Sequence, residues 1–178
     1  MINAILDFWF APETKPRWFA ADPAFDEEIR ERFEEPMEAA LAGGFEEWGE
    51  RAAGTLALVL LLDQFPRNLR RGTASAYAGD ARALEVARAA LRRGQDLEIP
   101  AEQRLFLYLP FEHSEAMADQ ELAVSLIGRL GAPILLDYAQ RHLDIVRRFG
   151  RFPHRNKALG RTTTAEEAAF LEQPGSSF

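Results

Sequence analysis

Leu56-Ala57-Leu58-Val59-Leu60-Leu61-Leu62 is the longest uninterrupted apolar run in the chain, and Asp63-Gln64-Phe65-Pro66-Arg67-Asn68 follows it directly. A stretch with no polar face suits a central helix packed on every side. Its start falls near Phe45 or near Thr55, depending on Gly49 and Gly54, and Pro66 should terminate it. Composition supports helix throughout. Ala and Leu supply 51 of the 178 residues, whereas Val, Ile and Thr together supply 17. The run is also far too short to span a bilayer, which takes about 20 apolar residues.

The flanking sequence repeats this logic. Ile5, Leu6, Trp9 and Phe10 make one stripe of a first helix over 2–10, stopped by Pro12. Asp22-Pro23 reads as an N-cap followed by proline at the first helical position. In the helix that follows, Phe25, Ile29, Phe33, Met37 and Leu41 recur every four residues. Pro36 should kink or break it, and Gly43-Gly44 ends it. Asp80 is expected to cap a helix reaching Arg93-Gly94. Pro100 opens another that ends before Pro110. Ser114 or Ala118 starts a sixth, to Leu130, and Pro133 opens a seventh, to Phe149. For a last short helix ending near Glu172, Thr163 with Glu166 fits a capping box well, and Thr164 with Glu167 fits poorly. The expectation is an all-α fold of seven or eight helices in antiparallel pairs, one domain over 1–173, with a frayed tail over 174–178.

Chemistry is bounded by what is missing. There is no cysteine, so disulfides, thiolate nucleophiles and Cys-ligated zinc or iron–sulfur sites are excluded. The net charge of −7 disfavours nucleic acid as a partner. Met1-Ile2-Asn3-Ala4 lacks the basic and apolar regions of a signal peptide, so a cytoplasmic protein without membrane partners is expected. No Gly-rich phosphate loop, dinucleotide fingerprint, His-Glu-x-x-His or calcium loop occurs, and no metal or cofactor is expected.

Four features carry chemistry. Asp63-Gln64-Phe65-Pro66-Arg67-Asn68 and Gly150-Arg151-Phe152-Pro153-His154-Arg155-Asn156 echo each other: Phe-Pro, one or two residues, then Asn, with basic residues around it. Asp63 follows the apolar run, so it should be buried and need a cationic partner. Pro66 argues against Arg67, four residues on, and makes Arg155 a candidate. Glu112-His113-Ser114-Glu115 packs two carboxylates, an imidazole and a hydroxyl between apolar flanks, as general acid–base chemistry requires. Its plainer role is to start a helix, with Ser114 as N-cap. His142 lies on a buried helical stripe and reads as a core histidine, whereas His154 sits in a turn where cleft exposure is expected.

Taken in order, these segments resemble the bacterial DUF924 family. The resemblance rests on Ile5-Leu6-Asp7-Phe8-Trp9-Phe10, Trp18-Phe19 with Asp26 to Phe33, Leu62 to Asn68, and Phe106 to Glu115. It continues through Gly150 to Asn156, Leu159-Gly160-Arg161, Thr164 to Glu167, and Phe170-Leu171. It departs mildly at Phe111, where members often carry Met or Leu. The resemblance implies a tetratricopeptide-like helical fold and brings no activity.

Three functions remain open from the residues. One is a binding module for a small anion, a carboxylate or a peptide end, using Asp63, Arg67, Asn68, His113, Arg155 and Asn156. Another is a hydrolase or isomerase with His113 or His154 as base, oriented by Asp63, Glu112 or Glu115. The third is a scaffold whose polar segments only lock the fold. The binding reading expects the 63–68, 112–115 and 154–156 segments to converge.

Overall fold

Helix accounts for 72% of the chain in the computed structural model, which describes residues 1–176, and no strand occurs among the described residues. The elements are α1 (Ile2–Trp9), α2 (Pro23–Leu41), α3 (Ala52–Val59), α4 (Phe65–Leu69), α5 (Asp80–Arg93), α6 (Ala101–Glu112), α7 (Met117–Gly128), α8 (Pro133–Phe149) and α9 (Ala165–Leu171), with short 3-10 turns between several of them. A π-helical segment, Leu60–Gln64, joins α3 to α4 without a break. Counting that run as one rod gives eight helices among the described residues, matching the all-α expectation.

The contacts divide the molecule into two units. One comprises Met1–Arg71 and Ser75–Pro110, the other Gly72–Ala74 and Phe111–Phe178. The core of the first is aromatic. Trp9 is fully buried, and its ring meets Phe25, Phe65 and Phe106 at centroid distances of 5.6, 5.5 and 5.5 Å. The apolar run forms the middle of this unit: every residue from Leu56 to Gln64 is buried. In the second unit α7 packs on α8. Ile145, Val146 and Phe152 form a small core there, with Met117, Phe149 and Phe170 against it.

Pro66 does not end the central helix. A proline lacks the N–H that would bond four residues back, and its ring crowds that carbonyl. Here the preceding turn has widened, so that the Phe65 amide donates to Leu60 O, five residues back, and the chain continues helically to Leu69. Gly79 closes on the same place. A Cβ built there would lie 2.0 Å from Leu62 O and 2.8 Å from Leu62 C, so only glycine fits.

Pro110 likewise lies inside α6, which runs on to Glu112, and Pro36 lies inside an unbroken α2. Each costs one backbone bond, while buried neighbours such as Phe33, Met37, Phe106 and Leu107 anchor the helices around them.

The caps differ from expectation in three places. Asp22 does cap α2, accepting from the Ala24 and Phe25 amides. Asp80, however, is the first residue of α5 behind an N-cap Gly79, because its carboxylate is drawn to Arg67. Ser114 precedes the α7 N-cap, Ala116. Its Oγ accepts from the Ala116 amide at 3.2 Å and donates to Asp119 Oδ2 at 2.7 Å. The capping box of α9 is Thr164 with Glu167, the pair expected to fit poorly, and not Thr163 with Glu166. In the tail, Ser176 Oγ donates to Leu171 O at 3.1 Å. Ser177 and Phe178 lie outside the described residues.

Candidate functional site

Asp63 is fully buried, and its partner is Arg67. Because the helical run passes through Pro66, positions 63 and 67 share a face after all, and Arg67 Nη1 lies 3.1 Å from Asp63 Oδ1. The same nitrogen donates to the Asp63 carbonyl at 3.0 Å. Both terminal nitrogens of Arg67 also grip Asp80, at 2.8 and 3.0 Å. Burial alone would lower the Arg67 pKa; the charges of Asp63 and Asp80 reverse this and raise it. Asn68 Nδ2 donates to Asp26 Oδ1 at 2.9 Å, and Arg71 holds the same carboxylate. In the first unit, therefore, Asp63, Arg67 and Asn68 are engaged in an internal ion-pair network.

The second Phe-Pro turn is locked in the same style. Arg151 grips Glu167 at 2.6 and 2.8 Å, and the α9 cap puts the Thr164 amide on that carboxylate at 2.7 Å. The Arg151 hydrogen bonds, with the Thr164 amide, hold Glu167 down to about 2. Fully buried Asn156 donates to Glu167 Oε2 at 3.2 Å and accepts from Arg161 Nε at 3.0 Å. Arg161 in turn forks onto Glu115 at 2.7 and 3.0 Å, and Glu115 Oε1 accepts the Phe152 amide at 2.8 Å. Burial would raise the Glu115 carboxyl. The Arg161 hydrogen bonds, the Phe152 amide and the charges of Arg161 and Arg155 outweigh it and hold the carboxyl below its ordinary range. The echo between the two turns is thus partly structural: in each, the asparagine amide is tied to a carboxylate and an arginine holds that same group.

The remaining candidate residues, Glu112, His113, His154 and Arg155, all lie in the second unit, and two of them stand against the Phe152 ring. Arg155, 6% exposed, places its guanidinium carbon 4.5 Å over that ring. His154 stands 5.6 Å from it between centroids, and His142 meets it edge-on at 5.5 Å. The His113 ring is 6.4 Å from that of His142. The 112–115 and 154–156 segments are therefore neighbours within this unit, while 63–68 belongs to the first.

His142, whose sequence context favoured a core role over a ligand's, is buried, and it also contacts a carboxylate of the cluster. Its Nδ1 lies 2.9 Å from Tyr138 O and 3.2 Å from Glu112 Oε1. A carbonyl can only accept, so Nδ1 carries the proton and Nε2 is the basic nitrogen of the neutral ring. Burial pushes the His142 pKa down to about 3. The Tyr138 carbonyl opposes that, and the positive fields of His113, Arg155 and His154 add to it. No pattern signals this pair, since 30 residues separate its members and neither belongs to a recognised spacing. Among the described residues, no group of three or more His, Asp or Glu side chains has the geometry to hold a metal ion, and no helix is long and apolar enough to cross a membrane.

Comparison with known proteins agrees with this architecture and adds no activity. No functionally curated protein matches the chain. A solved structure, that of the protein of unknown function ATU0120 from Agrobacterium tumefaciens, is similar over 97% of each chain, at 46% sequence identity and a TM-score of 0.92. The model of DUF924, a bacterial protein family of unknown function, matches residues 5–175. The chain belongs to the DUF924 family.

Proposed function

We propose that this protein binds a small anionic or carboxylate-bearing ligand, and that the site is the Glu112–His113–His142–His154–Arg155 cluster of the second unit. The observation that carries this reading is the placing of His142, His154 and a buried arginine against one aromatic ring, with the third histidine, His113, 6.4 Å from His142. Imidazole and guanidinium are the side chains best suited to an oxyanion: both donate through flat edges, and arginine offers a two-pronged fork. The positive field that depresses His142 is the field an anion would find attractive. Arg67 contributes less to this reading than its turn suggests, because two carboxylates already saturate its fork.

Thermal denaturation against a panel of sulfate, small carboxylic acids and short peptides tests the proposal. A ligand selective for the native state raises stability by about 2.7 kcal/mol at a hundred times its dissociation constant. At least one compound should raise the melting temperature of the wild type and leave a folded Arg155→Gln variant unmoved. If every compound treats the two proteins alike, the proposal fails.

The 3.2 Å Glu112–His142 contact favours a second reading, a hydrolase or isomerase with that pair as its acid–base apparatus. A general base works best with a pKa near the working pH, and His142 at about 3 is far below it. Binding is therefore the better-supported function.

A further inference from the structure

Gln120 carries a buried oxygen that no donor among the described residues meets. The side chain is fully buried on α7, in the second unit. Its Nε2 donates to Glu112 O and to Ser114 O, both at 2.6 Å, and so clamps the backbone on either side of His113. Carbonyl oxygens only accept, so the amide cannot be turned the other way round: its nitrogen faces the two carbonyls, and Oε1 is the atom left over. The donors of the same turn are committed elsewhere. The Ser114 hydroxyl donates to Asp119 Oδ2, the Ala116 amide to Ser114 Oγ, and the Asp119 and Gln120 amides to Ala116 O. A buried acceptor is normally met by a donor, because burial strips it of bulk water.

We propose that the ligand of this site is a small hydroxy acid, whose carboxylate is held by Arg155 and the histidines and whose hydroxyl donates to Gln120 Oε1. This inference rests on the anion-binding reading above and adds a second point of recognition to it. Placement joins the two. Gln120 holds the 112–114 backbone, Glu112 lies 3.2 Å from His142, and the His113 ring is 6.4 Å from the His142 ring, so the unmet oxygen belongs to the same group of residues. Sulfate has no proton to give at neutral pH and would leave Oε1 as it is. A carboxylate without a hydroxyl does the same. The donor is neutral rather than an ammonium, because His113, Arg155 and His154 already oppose positive charge at the neighbouring His142. A site with an acceptor set for a ligand hydroxyl rejects the analogue that lacks it, since the acceptor then stays buried and unmet.

Calorimetric titration of the full chain at pH 7 with a matched series tests this: propionate, lactate, β-hydroxypropionate, the methyl ether of each hydroxy acid, and alanine. Every member carries one carboxylate. The two hydroxy acids place a hydroxyl at different distances from it, the ethers keep the oxygen and remove its proton, and alanine puts an ammonium there instead. The expected result is that one hydroxy acid binds at least about tenfold more tightly than propionate, its own ether and alanine. A crystal structure of that complex should put the ligand hydroxyl within hydrogen-bond distance of Gln120 Oε1. Propionate matching both hydroxy acids, an ether as tight as its parent, or alanine as tight as the better hydroxy acid overturns the hydroxyl contact and leaves the anion site standing. An ordered water on Oε1, with the ligand hydroxyl elsewhere, does the same. If none of these acids binds, the hydroxy-acid proposal falls, and if sulfate is inert as well, the anion site falls with it.

Discussion

His142 makes the stability of the folded chain sensitive to acid, by an amount that follows from its surroundings. In the unfolded chain the ring titrates near 6.5; in the folded chain burial, with smaller contributions from His113, Arg155 and His154, holds it at about 3. The folded state therefore refuses a proton that the unfolded state accepts. The contribution of this ring is fully present above pH 6.5 and is lost as the pH falls from 6.5 towards 3. At pH 5 the unfolded ring is protonated and the folded one is not. The 1.5 units between 6.5 and 5, at 1.36 kcal/mol each, make that worth about 2 kcal/mol. His142→Asn keeps a donor for the Tyr138 carbonyl and removes the titration. Urea unfolding at pH 7 and pH 5 measures the difference. The wild type should lose about 2 kcal/mol more than the variant over that interval, since the carboxylates common to both proteins cancel. Equal losses would refute the reasoning: His142 would then be solvated enough to titrate normally, or to protonate in place beside Glu112.

Three further outcomes follow from the internal ion pairs and the close backbone approach. Asp63→Ala, which strips half-buried Arg67 of one of its two carboxylates, should cost about 3 kcal/mol in urea melts, and Asp63→Asn less; a loss under about 0.5 kcal/mol would mean the pair is solvated. Gly79→Ala drives a methyl group onto the Leu62 carbonyl, two backbone segments that cannot both give way, so it should destabilise by about 3 kcal/mol or more, and a neutral result would contradict the packing of the π segment. Glu167→Ala should lower the melting temperature more than Glu167→Gln, because the amide keeps an acceptor for Arg151 and for the Thr164 amide; equal effects would mean the carboxylate organises neither.

Much of the fold is legible in the sequence because helical spacing and cap chemistry are local. The four-residue stripe from Phe25 to Leu41 and the Asp22-Pro23 start specify α2 without help from the rest of the chain. Proline is the place where local reading fails. Pro66 forbids one hydrogen bond, and the chain answers with a wider turn whose cost is met by complete burial of Leu60 to Leu62. That error carries into the chemistry: once Pro66 is taken as a helix end, Arg67 can no longer reach Asp63, and the search for a partner moves to Arg155. The Thr163–Glu166 and Thr164–Glu167 boxes obey the same spacing, and what selects the second is the arrival of Arg151 and Asn156 on Glu167 from outside the helix. The Glu112–His142 contact is of the same kind, made within the second unit by residues far apart in the chain. Sequence identifies the segments that meet, 112–115 and 154–156, through their density of polar groups beside apolar flanks. It cannot say which of those groups are spent on one another, as Glu115 and Asn156 are, and which surround Phe152.

The most direct test of an anion site is a crystal structure of the protein grown or soaked in selenate, whose selenium marks its own position by anomalous scattering. The account predicts an anomalous peak in the second unit with its oxygens within hydrogen-bond distance of the Arg155 guanidinium and of at least one of the His113, His142 and His154 rings. A structure at millimolar selenate with no peak among these residues, and with Arg155 held entirely by carboxylates of the chain as Arg67 is, would contradict it.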